Sequence, residues 1–326
     1  MSKNKNMKLQ LAELRARAVL AKSEADIHKA ADVISAFRSQ SDYSFNHTWS
    51  YVGSILGCVM FMLAWWGQMD FNPSERLWVK AGGAVLAIGS LVVIYLRYKD
   101  VKTTGDDLYI RAAAIQAGIE RDYDFNGKAY WQQLRSLFSM FDCGDEGQCI
   151  TKRYLGGVDN TPFTLFEFKY VKVRRSHTTD SNGNSRTQKT RTTHYKYGMI
   201  VQFDNFNYLS LNTRNSANGF NQKWDSSSHR FNKLFKVRCS SEVLAAKFFE
   251  PKVVLKFEDD FSFVKALDLT SQSVACIELP KEVFPTQMPT PSLKNTSEYL
   301  DMLRSPAQIL LLERTKELIR FINEEK

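Results

Sequence analysis

Two apolar segments decide the fold of this chain: YVGSILGCVMFMLAWWG at Tyr51–Gly67 and VKAGGAVLAIGSLVVIYL at Val79–Leu96. Each approaches the ~20 residues that a helix needs to cross a ~30 Å hydrocarbon layer. The connector, Gln68–Leu77, carries charged residues and a proline and is too short to hold a domain. The sequence therefore predicts a transmembrane helical hairpin that leaves both flanks on one side of a membrane. The alternative, two buried helices in a soluble core, is disfavoured by apolar runs of this length.

Aromatic residues mark the ends of both segments. Their amphipathic rings favour the level of the lipid headgroups, so this pattern is typical of the aromatic belt of a membrane protein. The single formal charge inside either segment, Lys80, lies within one turn of the start of the second segment and can extend its ammonium group to the interface. The aromatic residues are Trp49, Tyr51, Trp65, Trp66, Trp78, Tyr95 and Tyr98.

Glycines indicate how the two segments pack, because small residues let membrane helices approach closely. In an antiparallel hairpin, the glycines of the first segment lie at the same depth as Ala87 to Leu91. We expect a glycine face to pack the hairpin internally, and a seam between two copies of the chain is the alternative. The glycines are Gly53, Gly57, Gly82, Gly83 and Gly89.

Basic residues near the ends of membrane spans favour the cytoplasmic side. Arg97, Lys99, Lys102 and Arg111 follow the second segment, whereas the connector holds Arg76. The N-terminal residues are polar and basic over dozens of positions, so we expect no cleavable signal peptide. The five cysteines are an odd, sparse set that does not indicate a disulfide framework. The pattern predicts a multi-pass membrane protein with both termini in the cytoplasm, which in a bacterium means a protein of the inner membrane.

Four regions follow one another along the chain. We expect residues 1–48 to form an N-terminal cytosolic helical segment, which we interpret as a surface or coiled-coil helix. Residues 49–97 form the hairpin, with spans at about 50–67 and 78–96. Residues 98–144 form a helical stalk or linker, and residues 145–326 form a soluble α+β domain that is long enough to bury one core.

Helical spacing defines the elements around the hairpin. The N-terminal segment has a break near Lys22–Ala25, and a second helix is predicted at Asp106–Arg121. Both leave the membrane on the same side, so we expect them to pack antiparallel as a stalk. A third helix, Gly127–Phe141, has an aromatic face that is typical of docking on a domain core.

From Ile150 onward, apolar residues alternate as they do in strands. Phe163–Arg175 and His194–Phe203 predict a long β-hairpin with a polar tip within Ser176–Lys189. The fold class is therefore α+β, with a mainly antiparallel sheet and helices. Further expected strands are Tyr208–Leu211, Leu234–Val237, Leu267–Ser271 and Val274–Leu279, and further expected helices are Ser240–Phe249, about Val253–Val264, and Ser305 to Asn323 with Pro306 at its first position.

The chain has a formal net charge of +9, and the predicted β-hairpin carries most of it. Between Lys169 and Lys196, eight basic residues stand against Asp180 alone, which gives this stretch a net charge of +7. We take seven of the eight as candidate lipid-binding or partner-binding residues. They are Lys172, Arg174, Arg175, Arg186, Lys189, Arg191 and Lys196.

Three interpretations of this basic hairpin compete. Its charge can deter edge-to-edge aggregation of a solvated sheet. It can attract anionic lipid headgroups, which contribute about 1 kcal/mol per basic residue held near the surface. It can also bind an acidic protein or a nucleic acid. We rank this third interpretation last, because no recognisable nucleic-acid motif frames the tyrosines of the hairpin.

Catalytic and metal-binding signatures are missing from the sequence. It contains no Walker loop, no G-x-S-x-G, no H-E-x-x-H and no dinucleotide fingerprint. Cys143 and Cys149 depart from the usual spacing of zinc ligands, and no second pair follows. His177 and His194 flank the hairpin loop in positions from which they could face each other. We therefore expect no cofactor or metal and assign no catalytic residue.

The order of the elements and three stretches of the soluble domain resemble an uncharacterised family of bacterial membrane proteins, the domain-of-unknown-function family three-one-three-seven. The resemblance covers most of the chain and consists of hydrophobic patterns, not catalytic signatures. It implies no activity and no site residues, but it implies a protein partner of the LemA type. The stretches are ITKRYLGGVDNTPFTLFEFKYVK at Ile150–Lys172, YGMIVQFD at Tyr197–Asp204 and FKVRCSSEVLAAKFFEP at Phe235–Pro251.

The sequence as a whole indicates an integral inner-membrane protein whose cytosolic α+β domain is a binding or scaffold module at the membrane. The expected partners are membrane lipid and a protein, and a homo-oligomer is compatible with the glycine pattern. The alternatives are a membrane-tethered enzyme without a recognisable motif and a regulatory sensor whose stalk transmits a change of state.

Overall fold

The computed structural model describes residues 3–38, 42–66, 72–179, 185–203, 210–213 and 222–324. The fold is α+β, as the sequence predicted, with ten α-helices and one antiparallel sheet within these ranges. The chain forms two compact units. Unit 1 comprises Met1–Ile115 and Pro289–Ala307, and unit 2 comprises Gln116–Met288 and Gln308–Lys326.

The helices are α1 (Lys3–Leu20), α2 (Glu24–Arg38), α3 (Thr48–Trp66), α4 (Pro73–Gln116), α5 (Gly127–Leu137), α6 (His229–Leu234), α7 (Glu242–Phe248), α8 (Pro251–Asp259), α9 (Thr296–Arg304) and α10 (Leu310–Glu324). The strands are β1 (Ile119–Asp122), β2 (Glu146–Val158), β3 (Thr161–Thr179), β4 (Ser185–Gln202), β5 (Leu211–Asn212), β6 (Gln222–Lys223), β7 (Arg238–Cys239), β8 (Ala266–Leu269) and β9 (Val274–Leu279). Within the described residues the sheet has the order β1-β2-β3-β4-β9-β8-β5-β7-β6, and every pairing is antiparallel.

Two helices of unit 1, α3 and α4, are long and apolar enough to cross a membrane. The helix α4 runs without interruption for 44 residues. The separate helix predicted at Asp106–Arg121 is therefore wrong, because its first part is the end of α4 and its last part is β1. Gly118 separates the two elements with a φ of 65°, a left-handed conformation that glycine adopts at helix ends.

The N-terminal helices α1 and α2 are separated by Ala21–Ser23, close to the predicted break. The Asp26 carboxylate accepts hydrogen bonds from the backbone nitrogens of Lys22 and Ser23, and the Ser23 hydroxyl accepts one from Asp26. This reciprocal arrangement resembles a capping box and satisfies N–H groups at the start of α2. The guanidinium of Arg111 on α4 donates two hydrogen bonds to the carbonyl oxygen of Ala21, where α1 has just ended.

In unit 1, a buried hydrophobic cluster is formed by residues of α1, α2, the second half of α4 and α9. The helix α9 was not predicted, and its Tyr299 is fully buried with its hydroxyl 2.8 Å from the carbonyl oxygen of Gly105. The final helix was predicted to begin at Ser305 and Pro306, but α10 begins only at Leu310. That prediction is wrong because α9 already ends at Arg304 and the prolyl residue lies between the two helices.

The centre of unit 2 is the long hairpin of β3 and β4, which confirms the hairpin predicted from alternation. Its register runs without a bulge from Phe163 opposite Val201 to Thr179 opposite Ser185. The helix α5 and the turn after it pack on one sheet face through a cluster that includes Trp131, Phe141 and Phe168. The centre of the predicted polar tip, residues 180–184, lies outside the described residues.

Several elements in the second half of unit 2 differ from the predictions. The helix predicted at about Val253–Val264 is α8, which ends at Asp259. Of the predicted strand Tyr208–Leu211, Tyr208 and Leu209 lie outside the described residues, and Leu211 begins β5. Leu234–Val237 was predicted as a strand, but Leu234 ends α6 and the strand β7 begins at Arg238. The reason is local capping, because the Ser228 hydroxyl accepts a hydrogen bond from the Phe231 nitrogen and starts a short helix. The predicted helix at Ser240–Phe249 is confirmed as α7, and the predicted hairpin of the last two strands is confirmed as β8 and β9.

Candidate functional site

The apolar surface of α3 and of the first half of α4 is the most unusual feature of unit 1. In the most apolar stretches of these helices, 17% of the residues of α3 and 6% of those of α4 are buried. Large side chains such as Ile55, Val85 and Leu91 are more than half exposed. Helices of a soluble core bury such side chains, whereas helices in lipid leave them at the surface. The exposure therefore favours contact with lipid over the soluble-core alternative.

The predicted glycines fall into two groups in the structure. A methyl group placed on Gly57 would lie 2.6 Å from the Ala87 nitrogen and 2.6 Å from the Gly83 carbonyl oxygen, and one on Gly83 would lie 2.7 Å from the Gly57 carbonyl oxygen. One on Gly53 would lie 2.6 Å from the Ser90 hydroxyl. These three glycines therefore lie where α3 and α4 touch. A methyl group on Gly82 or Gly89 would meet no atom within 4 Å, so these two lie away from the contact.

Exposed tryptophans lie at both ends of the apolar surface. Trp49 is 86% exposed near the start of α3, and Trp78 is 76% exposed near the start of α4. The ammonium group of Lys80 lies 4.9 Å from the centre of the Trp65 ring, a cation–π distance that keeps the charge beside an interfacial ring. This arrangement is the one expected at the boundary between hydrocarbon and headgroups.

The basic residues of the β3–β4 hairpin lie on both faces of the sheet. Successive side chains of a strand point to opposite faces. Lys172, Arg174 and Lys196 occupy positions on the face that carries Phe168 and α5. Arg175, Lys189 and Arg191 occupy the opposite face. Arg186 lies in β4 opposite Thr178, and its side chain lies outside the described part of the chain.

Two of these basic side chains have partners. Arg191 pairs with Glu146 at 3.0 Å, which raises the pKa of the guanidinium, and Lys196 donates to the Met140 carbonyl oxygen at 3.3 Å. Within the described residues, the other basic side chains of the distal half have no ion pair. We call this half, Lys172–Arg175 with Lys189, the distal basic ribbon. It is exposed on both faces, so its charge is available to a partner.

The two histidines predicted to flank the hairpin do not face each other. His177 lies opposite Thr187 and contacts its hydroxyl at 3.0 Å, whereas the His194 ring stacks on Tyr170 at a centroid distance of 5.3 Å. Cys143 lies near this stack and is half-buried. Burial raises the pKa of its thiol, which leaves it mainly in the weakly nucleophilic protonated form at neutral pH.

Metal chemistry finds no support in the described residues. They contain no group of three or more His, Cys, Asp or Glu side chains that could hold a metal ion. All five cysteines are free thiols, so Cys143 and Cys149 do not form a disulfide.

Sequence reasoning missed two ionic contacts of unit 2 that are at least partly buried. Glu167 is 5% exposed and accepts hydrogen bonds from Lys152 at 2.9 Å and from the Thr151 hydroxyl at 2.6 Å. The alternation of apolar and polar residues along β3 places Glu167 at an inward position. A carboxylate at such a position needs a partner, and this was the signal that could have revealed the contact. The carboxylate is therefore buried with a cationic partner and a hydroxyl partner, as a buried charge requires.

The second missed contact is Arg153, whose guanidinium lies between two aromatic rings. Its carbon is 4.7 Å from the Phe125 ring centre and 4.8 Å from that of Tyr130. It also pairs with the Asp122 carboxylate, and this hydrogen bond lowers the pKa of Asp122. The pair joins β1 and β2 to the segment that leads into α5.

No family model, no curated protein and no solved structure matches this chain. The resemblance to a family of bacterial membrane proteins therefore stays a prediction. The candidate sites are the apolar surface of α3 and α4 and the distal basic ribbon, and both are defined by their geometry alone.

Proposed function

We propose that this chain is an integral protein of the bacterial inner membrane, with α3 and α4 as a transmembrane hairpin and with unit 2 as a cytosolic binding or scaffold module. The exposed apolar surface of α3 and α4 carries the proposal, because no described part of the chain covers it. The close glycine contact at Gly57 and Gly83 supports a paired insertion.

The test of membrane integration uses the full-length chain. Membranes from expressing cells are washed with alkaline carbonate, and a separate sample is extracted with detergent. We expect the chain to stay with the membranes in carbonate and to be released by detergent, as helices buried in hydrocarbon require. Recovery in the carbonate supernatant or in a detergent-free soluble fraction would contradict the proposal.

We assign the binding role of unit 2 to the distal basic ribbon. A membrane plane contacts one face of a ribbon at a time, whereas the exposed charges here occupy both faces. This distribution favours an acidic protein segment that contacts both faces over a flat lipid surface. A LemA-type membrane protein is the partner class that the family resemblance implies.

Two matched variants test the binding role. Lys172→Gln/Arg174→Gln removes two charges from one face, and Arg175→Gln/Lys189→Gln removes two from the other. In affinity purification from native membranes, we expect each variant to lose the same acidic partner. Anionic vesicles added to the full chain in a salt series supply the lipid arm. The assignment is wrong if only one of the two variants loses binding and the chain binds anionic vesicles instead of an acidic protein. In that case the distal basic ribbon is a lipid contact.

A regulatory sensor is the second candidate function. The observation that favours it is the continuity of α4, which joins the apolar surface to the buried cluster of unit 1 in one helix. A disulfide between residues introduced in α1 and the second half of α4 tests it. If locking these helices leaves partner binding unchanged under every condition, no signal passes through them.

A further inference from the structure

A cleft opens in unit 1 beside α4, where the apolar half of that helix gives way to its polar half. Its volume is about 650 Å³, which falls within the ~300–1,000 Å³ of small-molecule sites. We call it the interfacial cleft. It is lined by Lys8, Phe45, Val93, Leu96, Arg97, Lys99, Asp100 and Thr103.

One wall of the interfacial cleft is apolar. Val93 and Leu96 lie on α4 and are 39% and 55% exposed, and the buried ring of Phe45 completes the wall. Residues at positions i, i+3 and i+4 share one face of a helix, so Val93, Leu96 and Arg97 stack along α4. The wall therefore continues the exposed apolar surface of α4 directly into the cleft.

The other side of the cleft is basic. Arg97 is fixed by a 3.0 Å hydrogen bond from its guanidinium to the Asn46 carbonyl oxygen, and its guanidinium carbon lies 5.6 Å from the Phe45 ring centre. Lys8 and Lys99 are exposed, and within the described residues neither ammonium group has a hydrogen bond or an ion pair. Three cationic groups thus surround a space that no described side chain fills.

The acidic residue of the cleft does not cancel this charge. Asp100 pairs with Arg15 at 2.5 Å, and Arg15 also donates to the Thr104 hydroxyl at 2.9 Å. Because the negative charge of Asp100 is already matched by Arg15, the three cations of the cleft remain in excess. The cleft therefore favours an anion, and its guanidinium suits a phosphate group in particular.

We propose that the interfacial cleft binds one anionic glycerophospholipid, with the phosphodiester at Lys8, Arg97 and Lys99 and an acyl chain along Val93 and Leu96. The inference rests on the proposed membrane insertion of α3 and α4. A free phosphate ion would have no use for the apolar wall, and a zwitterionic lipid would leave the excess positive charge uncompensated. The site is distinct from the distal basic ribbon, which belongs to unit 2.

The test is native mass spectrometry of the detergent-purified full-length chain with phosphatidylglycerol and with phosphatidylcholine of the same acyl chains. Lys8→Gln/Lys99→Gln removes the two unpaired charges and leaves Arg97 with its structural hydrogen bond. The matched control, Lys5→Gln/Lys102→Gln, removes one exposed lysine from each of the same two helices outside the cleft.

We expect one phosphatidylglycerol to bind more tightly than phosphatidylcholine, and millimolar inorganic phosphate to leave it bound. Each basic residue held near an anionic headgroup contributes roughly fivefold in affinity, so the cleft variant is expected to lose roughly 25-fold and the control to stay near wild type. Equal binding of both lipids, displacement by inorganic phosphate, or an equal loss in the control would overturn the site.

Failure of this site is distinguishable from failure of the proposed function. A chain that resists carbonate extraction but binds both lipids equally keeps its membrane location and loses only the cleft. A chain that is soluble without detergent would contradict the proposed membrane location, and with it the proposed lipid site.

Discussion

Gly57 and Gly83 leave no room for a side chain at the contact of α3 and α4. The nearest atoms to an added methyl group are backbone atoms of the facing helix, which cannot move aside as the end of a flexible side chain can. Composition alone did not separate these glycines from Gly82 and Gly89, which lie only a few residues away. The distinction depends on the rotation of each helix about its own axis, and the sequence does not specify that rotation.

Gly57→Val is expected to push α3 and α4 apart and to destabilise the detergent-solubilised chain by roughly 1–3 kcal/mol, the usual cost of overpacking. Gly82→Val is the matched control, because an added group there meets open space. Thermal unfolding followed by circular dichroism compares the two. Equal losses of stability in both variants would show that helix propensity, and not the contact, sets the cost.

The pair of Asp122 and Arg153 contributes stability that is expected to decrease as the pH falls. Hydrogen bonding to Arg153 lowers the pKa of Asp122, so the carboxylate stabilises the fold above its unfolded pKa of about 3.9. This contribution is lost as the pH falls through the lower folded value. We expect Asp122→Asn to cost about 1–3 kcal/mol at pH 7 and the difference from wild type to shrink below about pH 4.

Urea unfolding of the full-length chain at both pH values measures this difference. Asp259→Asn is the control, because its pair with Arg230 is about 60% exposed on both sides and is expected to contribute about 0–1 kcal/mol. A difference between Asp122→Asn and wild type that stays constant down to pH 3 would contradict the assignment of the shift to this pair.

His47 makes unit 1 less stable as the pH falls, as Asp122 does for unit 2, but in the weakly acidic range. Burial lowers its pKa, and the charges of Arg97 and Lys294 lower it further. The unfolded chain therefore binds a proton more readily near pH 6.5 than the folded chain does. We expect the thermal midpoint to fall between pH 7.5 and pH 5.5 and His47→Gln to reduce that fall. His28→Gln, an exposed site on α2, should retain the full decrease.

Elements with a strong local pattern were predicted well, and elements defined by packing were not. The alternation of apolar and polar residues predicted β3 and β4, and the length of the apolar segments predicted α3 and the first half of α4. The rest of α4 was read as a separate helix because its hydropathy changes at Arg97, although no cap interrupts the backbone there. The two-residue strands β6 and β7 exist only through their pairing, so no periodicity could reveal them.

The helix α9 packs through four buried residues, and variants of the largest of them, Tyr299, should show how much that packing contributes. Tyr299→Ala is expected to cost about 3–5 kcal/mol through lost packing, whereas Tyr299→Phe, which loses only the hydrogen bond to Gly105, should cost about 1 kcal/mol. Asp301→Ala on the exposed side of the same helix should change stability by less than about 0.5 kcal/mol. Denaturant unfolding with near-ultraviolet circular dichroism ranks the three variants. A similar cost for Ala and Phe would contradict a packing role for the ring.

At the scale of the whole molecule, the sequence revealed the basic excess but not its arrangement. Basic residues of the distal basic ribbon stand at both odd and even positions of its strands. Because successive side chains of a strand point to opposite faces, the sequence already implied that the charge lies on both faces. The interfacial cleft could not be predicted, because Lys8, Phe45 and Arg97 are far apart in the sequence. They meet only after α1 packs on α4, and local pattern does not encode that contact.

The topology of the whole chain follows from the proposed hairpin. Tags at the two termini of the full-length chain should both be removed by protease in inverted inner-membrane vesicles and should both survive in right-side-out vesicles. The physical reason is that two spans return the chain to its starting side. Removal of one tag with survival of the other, in either preparation, would require an odd number of spans.

The continuity of α4 has a mechanical consequence. At about 1.5 Å per residue, its 44 residues reach about 66 Å, of which the last 20 extend about 30 Å beyond the apolar half. A hydrophobic stretch adjusts to bilayer thickness by leaning, and a lean of about 10° would swing the far end of such a rod by about 5 Å. In the proposed membrane hairpin, thickening or thinning of the bilayer would therefore reach the far end of α4 as a sideways displacement.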